Sequence, residues 1–267
     1  MIRLALFIFL AVFTTSLSAQ TAHLLSMGNT KAARTDVHAL FGNQAGLASL
    51  KNSNLLISTE RRFNLNELSS HTAGAAFVTN AGTFGLAINY FGFSEYNEQK
   101  IGLAYARKLG QKFSVGAQVD YLGTRIKEYG NVTTYTFELG ILANINSKLN
   151  LGAHIFNPVN ADRGIEEEPL ETIFSLGLSY RASEKFTIMA DAEAEFDFDL
   201  NYKLGIDYTL NEMLHLRFGA FTEPLTLTFG LGLQIKSQLY IDFASSYQTI
   251  LGLTPGIGVR YAFNSKK

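Results

Sequence analysis

The chain has 267 residues, a formal charge of −1 and only 17% charged side chains, so it lacks the basic excess that binds nucleic acid. It holds no cysteine, which excludes a disulfide framework and a thiol for lipid attachment. Glycine (23) far outnumbers proline (4), and the length suits one large all-β domain.

Arg3 is followed by the apolar run Leu4–Phe13 and then by Thr14-Thr15-Ser16-Leu17-Ser18-Ala19. This pattern predicts a secretory signal peptide over residues 1–19, cleaved after Ala19. No later stretch offers eighteen uninterrupted apolar residues, so a helical membrane anchor is not expected. Residues 20–52 are rich in small residues and glycine and show no period-two alternation. They read as a compact irregular segment with at most a short helix near Val37–Phe41.

From Asn54 onward the pattern changes. Leu225, Leu227, Phe229, Leu231, Leu233 and Ile235 alternate with Thr226, Thr228, Gly230, Gly232 and Gln234, which makes a strand with one apolar face and one polar or bare face. Phe84, Leu86, Ile88 and Tyr90 likewise oppose Gly85, Ala87 and Asn89, and Phe113, Val115, Ala117, Val119 and Tyr121 oppose Ser114, Gly116, Gln118 and Asp120. Fourteen such strands are predicted, at 54–63, 68–79, 82–93, 99–108, 112–124, 132–145, 148–157, 171–181, 185–197, 200–210, 212–222, 225–236, 238–248 and 253–264. Repeated strands of one polarity, each near ten residues, predict a sheet closed on itself in lipid. The fold class is therefore all-β: a 14-stranded antiparallel transmembrane β-barrel over 53–267 with an N-terminal periplasmic or luminal plug over 20–52.

Alternate connections are terse and carry Lys108, Lys112, Lys148, Arg181, Lys185 and Lys236. The opposite set tends to be longer and carries Glu95, Glu98, Glu166, Glu167, Glu168 and Glu223. An even strand count then places both termini on the periplasmic side of an outer membrane. Tyrosines and phenylalanines gather near strand ends, as amphipathic rings do at a lipid interface.

The segment Gly28–Leu50 resembles the N-terminal plug of the long-chain fatty acid transporter (FadL-like) barrels, and within them the PorV/PorQ branch of Bacteroidota. The resemblance rests on Met27-Gly28, Ala32-Ala33-Arg34, Asp36, Leu40-Phe41 and Asn43-Gln44-Ala45-Gly46-Leu47-Ala48, with Gln44 where the family usually has proline. Gly28, Arg34, Asp36, Asn43 and Gly46 are its plug-motif residues. The resemblance implies fourteen strands, as the alternation does independently. It also implies a non-enzymatic accessory subunit of a type IX-like secretion or assembly machine, with a larger outer-membrane protein as partner. The alternative it leaves open is passive transport of a small hydrophobic molecule.

Inward positions are rich in glycine, including Gly85, Gly102, Gly116, Gly140, Gly152, Gly177, Gly205, Gly219, Gly230 and Gly232. Missing side chains either admit residues 20–50 into the lumen or only let the wall curve. Asp120, Glu138, Asp191, Glu193, Glu195, Lys203, Asp207, His215 and Arg217 fall on inward faces and form a candidate luminal charged network. Counting back through tight turns puts Lys203 near Glu195, and His215 near Asp207 with Arg217 one step along. The row Asp191, Glu193, Glu195, Asp197, Asp199 reads as a cation or polar-substrate path, as a docking rail for Arg34 and His38, or as a paired network that stiffens the wall. No nucleophile elbow accompanies Asp207 and His215, and the five histidines show no metal-ligand spacing. No catalytic residue, metal or cofactor is expected. The expected surroundings are outer-membrane lipid.

Overall fold

A computed structural model describes residues 20–163, 170–195 and 200–263. The expected signal peptide, Glu166–Glu168, Asp197 and Asp199 lie outside the described residues. Fourteen strands run in chain order: β1 Asn54–Arg61, β2 Ser69–Thr79, β3 Gly82–Gly92, β4 Tyr96–Leu109, β5 Phe113–Ile126, β6 Gly130–Asn144 and β7 Leu149–Phe156, then β8 Ile173–Ser183, β9 Phe186–Glu195, β10 Asn201–Asn211, β11 Leu214–Phe221, β12 Thr226–Ile235, β13 Leu239–Gln248 and β14 Gly252–Ala262. Each pairs antiparallel with its sequence neighbours, and β1 pairs with β14 from Asn54↔Ala262 to Glu60↔Gly256, which closes the barrel. Closure leaves no strand edge unpaired, the condition for putting a sheet into hydrocarbon.

The alternation sets the two faces as expected. Leu103 is 65% exposed and Val119 61%, whereas Asp120, beside Val119 on the same strand, is wholly buried. An apolar exterior around a polar, filled interior is the reverse of a soluble sandwich. Among the described residues, ladder registers shift at Thr209/Asn211 and Arg181/Ser183, both beside terse turns.

One expectation on the connections changes. β4, β5 and β6 have 14, 14 and 15 residues and run past their expected ends. Connections 93–95 and 127–129 are therefore as short as the turns opposite, and Lys127 Nζ pairs with Glu95 Oε2 across them at 2.7 Å. The contrast in length is clearest at 62–68 and 157–172.

Gln20–Leu50 lies within the ring of strands. It begins with helix α1, Ala22–Ser26, whose first turn is capped by Thr21 Oγ1 accepting from Leu24 N at 3.2 Å. Two 3-10 turns follow, Val37–Phe41 and Gln44–Ser49. The short helix expected near Val37–Phe41 is the first of these; α1 and the second turn carry no pattern that announced them. Leu24, Val37, Ala39, Leu40 and Leu47 pack against Leu56, Ala76, Ala87, Ala104 and Ala106 of β1–β4, so the apolar core lies inside the barrel.

Candidate functional site

The interior is organised as two levels. At the first, Gly116, Gly140, Gly152 and Gly205 touch the internal segment directly: a Cβ built on them would fall 2.4 Å from Ala45 N, 2.0 Å from Asn43 Oδ1, 1.8 Å from Ala32 O and 2.4 Å from Met27 O. Bare backbone on these strands lets the segment approach closer than any side chain allows. Gly102 and Gly232 instead accommodate Gln118 and Arg217 of the wall, so glycine serves both purposes.

The plug-motif residues shape the segment itself. Gly28 has φ +61°, and a Cβ there would lie 2.2 Å from Leu204 O, so both conformation and space require glycine. A Cβ on Gly46 would lie 2.0 Å from Arg34 O. Asp36 accepts from His38 N at 2.8 Å at the start of the Val37–Phe41 turn, and Arg34 Nη2 reaches Asp36 Oδ2 at 2.7 Å. Asn43 Oδ1 accepts from Ala45 N at 3.1 Å, while Nδ2 donates to Ala32 O at 2.7 Å, Ile141 O at 2.9 Å and Ala153 O at 3.2 Å. Gln44, in the place of the family's proline, donates from Nε2 to Glu138 Oε2 at 2.7 Å. The departure adds a tie between segment and wall.

Two residues toward the outer connections on the same strands stands the second level, made of charge. Glu138 accepts from Lys100 Nζ at 2.5 Å and from Gln118 Nε2 at 3.2 Å, and faces His154 Nε2 at 2.7 Å. Gln118 Nε2 also donates to Asp120 Oδ1 at 2.9 Å. Asp191 Oδ2 accepts the backbone N–H groups of Lys31 and Ala32 at 2.6 and 2.9 Å. Lys203 is paired in register with Asp191, and its Nζ reaches Glu193 Oε1 at 2.6 Å. The expected Lys203–Glu195 proximity is thus corrected: the β9–β10 connection is longer than a tight turn, and Glu195 lies opposite Ile173. The β9 carboxylates do not form a rail for Arg34 and His38 either, since Asp191 holds backbone and Arg34 is held by Asp36.

Arg217 lies opposite Asp207 and bridges two strands, with Nε to Asp207 Oδ2 at 2.6 Å and Nη1 to Asp242 Oδ1 at 2.5 Å. His215 Nδ1 lies 3.1 Å from Asp207 Oδ1 and 3.2 Å from Thr209 Oγ1, so no serine hydroxyl receives it. Sequence reasoning found Asp207, His215 and Arg217 together but missed Asp242, Lys100, His154, His23 and Gln118 as participants. Lys100 and His154 each stand two residues from a glycine already placed inward, which was the available signal. On the segment, burial lowers the His23 pKa from 6.5 to about 4, Arg217 and Arg34 push the same way and Asp242 opposes. Burial likewise drives the His38 pKa well below the ordinary imidazole value.

Between the segment and β3–β9, on the outer side, a recess of about 40 Å³ is bordered by Leu40, Phe41, Ala87, Phe156 and Ile173 on its apolar parts and by Lys31, Lys100, Glu138, His154 and Glu193 on its polar ones. Asn89, Gln118 and Ser175 border it as well, and beside the paired ions the surface left to a solute is the apolar side chains and the unpartnered Gln118 Oε1.

The closed fourteen-strand antiparallel barrel matches the fold of FadL-type outer-membrane barrels. The chain superposes on the Pseudomonas putida toluene transporter TodX with a TM-score of 0.72 at 13% identity, covering 94% of this chain and 100% of that one. The Ralstonia pickettii toluene transporter TbuX gives a TM-score of 0.68 at 15% identity over 93% of this chain and 99% of that one. A FadL homologue from Pseudomonas aeruginosa gives 0.69 at 12% identity, with 92% and 98% covered. No protein-family model and no curated protein matches the sequence.

Proposed function

We propose that the protein is an outer-membrane barrel that passes small, predominantly apolar molecules, with residues 1–19 as its export signal, 20–52 as a plug and both termini in the periplasm. The observation that carries this reading is the recess between segment and wall, which offers Leu40, Phe41, Ala87, Phe156 and Ile173 on one part of its border and lies close to the outer connections. The fold shared with two toluene transporters supports it. A cavity that holds benzene measures roughly 150 Å³, so a ring-sized solute requires this recess to widen. The bordering piece of the segment is the Val37–Phe41 turn, whose Leu40 and Phe41 would shift to admit it.

Uptake of radiolabelled toluene by cells expressing the barrel tests the proposal. Expression should raise the initial rate several-fold over an empty vector, and Ile173→Trp, which fills the recess from the wall, should return it to background. Equal rates with and without the barrel would remove transport from consideration.

The accessory-subunit reading of the PorV/PorQ resemblance has one observation in its favour: the filled interior combined with three-residue connections at 93–95 and 127–129, which leave a blunt outer face to a partner. Recovery of a stoichiometric large outer-membrane protein with the tagged barrel would support it. Recovery of a lone monomer would oppose it.

A further inference from the structure

The five histidines show no ligand spacing along the chain, yet folding brings two of them to one aspartate. His23 of α1 and His38 of the Val37–Phe41 turn stack with ring centroids 4.3 Å apart and planes 5° from parallel. His23 Nδ1 lies 3.5 Å from Asp242 Oδ2 on β13, and one donor atom from each of His23, His38 and Asp242 lies within 4.8 Å of the other two.

An independent observation comes from His38 itself. It is 4% exposed, and its Nε2 has no hydrogen-bond partner among the described residues. Its Nδ1 lies 3.0 Å from Thr21 Oγ1, a hydroxyl that also accepts from Leu24 N. Whichever of Thr21 and Nδ1 donates, Nε2 is left with no protein partner in the interior, and the tautomer with its proton on Nδ1 presents there the lone pair by which imidazole binds a metal. Both rings and Asp242 border a narrow, partly open void, too tight for a water as it stands, together with Ser58 and Gly258.

We propose that His23 Nδ1, His38 Nε2 and Asp242 Oδ2 form a site for a divalent transition metal, Zn²⁺ foremost, that ties the internal segment to β13. Two imidazole nitrogens and one carboxylate oxygen are a donor set suited to zinc, with water as the fourth ligand. Donors about 2.1 Å from a tetrahedral ion stand about 3.4 Å apart, so the three need to close by no more than about 1.4 Å, and the two imidazoles must also turn out of their parallel stack to aim their in-plane lone pairs at one ion. The surrounding charges do not compete for the same atoms. Asp242 offers Oδ2 because Oδ1 is taken by Arg217, which orients the carboxylate from behind. Arg34 Nη2, which can only donate, faces His23 Nε2; a metal on Nδ1 puts the ring proton on Nε2, so Arg34 must leave that nitrogen and rest on its three contacts with Asp36. Arg260, which also borders the void, lies over the Tyr240 ring at 3.7 Å.

The test uses the full chain without a histidine tag, folded in detergent, stripped with EDTA, incubated with ZnCl₂ and desalted. Elemental analysis should return one zinc per chain for the wild type. His38→Gln and Asp242→Asn should each weaken retention at least about tenfold, while His71→Gln, on the wall away from the segment, should leave it unchanged. No retained zinc in the wild type, undiminished retention in a folded His38→Gln, or loss only with His71→Gln would overturn the proposal. Should either site variant fail to fold, the wild type decides: Co²⁺ should give the intense visible absorption of a tetrahedral site, and a weak octahedral spectrum overturns it. Bound zinc should also slow trypsin cleavage at Lys31 and Arg34, a readout that metal held elsewhere would not move.

Discussion

Two adjacent levels of one interior, a single pleat apart on the same strands, are built by opposite means. At the level of Gly116, Gly140, Gly152 and Gly205 these wall positions carry no side chain, and the segment meets them with its backbone or, at Gly140, with the Asn43 amide. At the level of Gln118, Glu138, His154 and Lys203 long polar side chains pair with one another and leave a recess. Steric exclusion fixes where the segment sits, because one added methyl is too many. Charge compensation fixes how the wall behaves above it, because each ion is tolerated only while its partner remains.

The largest expected effect follows from breaking compensation. Glu138→Leu leaves Lys100, His154, Gln44 and Gln118 without their shared acceptor and should cost about 3–5 kcal/mol in denaturant unfolding. The segment should nonetheless stay protected from protease, since the glycine level is untouched; simultaneous exposure would show that the levels are not separable. Next comes the converse change. At Gly219 a Cβ would lie 2.2 Å from Gly28 N, so Gly219→Val should cost about 3 kcal/mol by overpacking. It should make a cysteine placed at Ser26 reactive to a thiol probe. A smaller effect is expected at the junction of the two levels: Asp191→Asn keeps one acceptor oxygen but loses the charge facing two N–H groups, about 1 kcal/mol. Glu95→Gln is the baseline, because its exposed pair with Lys127 joins neither level, and the unfolding midpoint should not move.

Face assignment was legible in the sequence because a side-chain period of two survives any shift by two. For the same reason register was not. Lys203 was placed on the correct face but paired with Glu195 rather than with Asp191 and Glu193, an error that preserves every inward and outward direction. The ends of β4, β5 and β6 were set too short because Tyr96, Asn97, Arg125 and Gly130 are polar, amphipathic or small, and alternation gives no hydrophobic signal there. Asp207, His215 and Arg217 were recoverable since β10 and β11 meet through a tight turn. Asp242 lay beyond reach for a different reason. It joins that group across β12 and joins His23 and His38 from a segment with no periodicity, and neither link leaves a trace in local sequence.

Asn43 uses one amide nitrogen against carbonyls of three chain segments, Ala32 of its own and Ile141 and Ala153 of neighbouring strands. Ile141 and Ala153 lie directly opposite each other in the β6–β7 ladder. A displaced Asn43 therefore strands acceptors on both strands at once, in surroundings with little water to replace the lost bonds. Moving the segment from this side would break ties to both strands together, whereas its other border, around Leu40 and Phe41, rests on apolar packing.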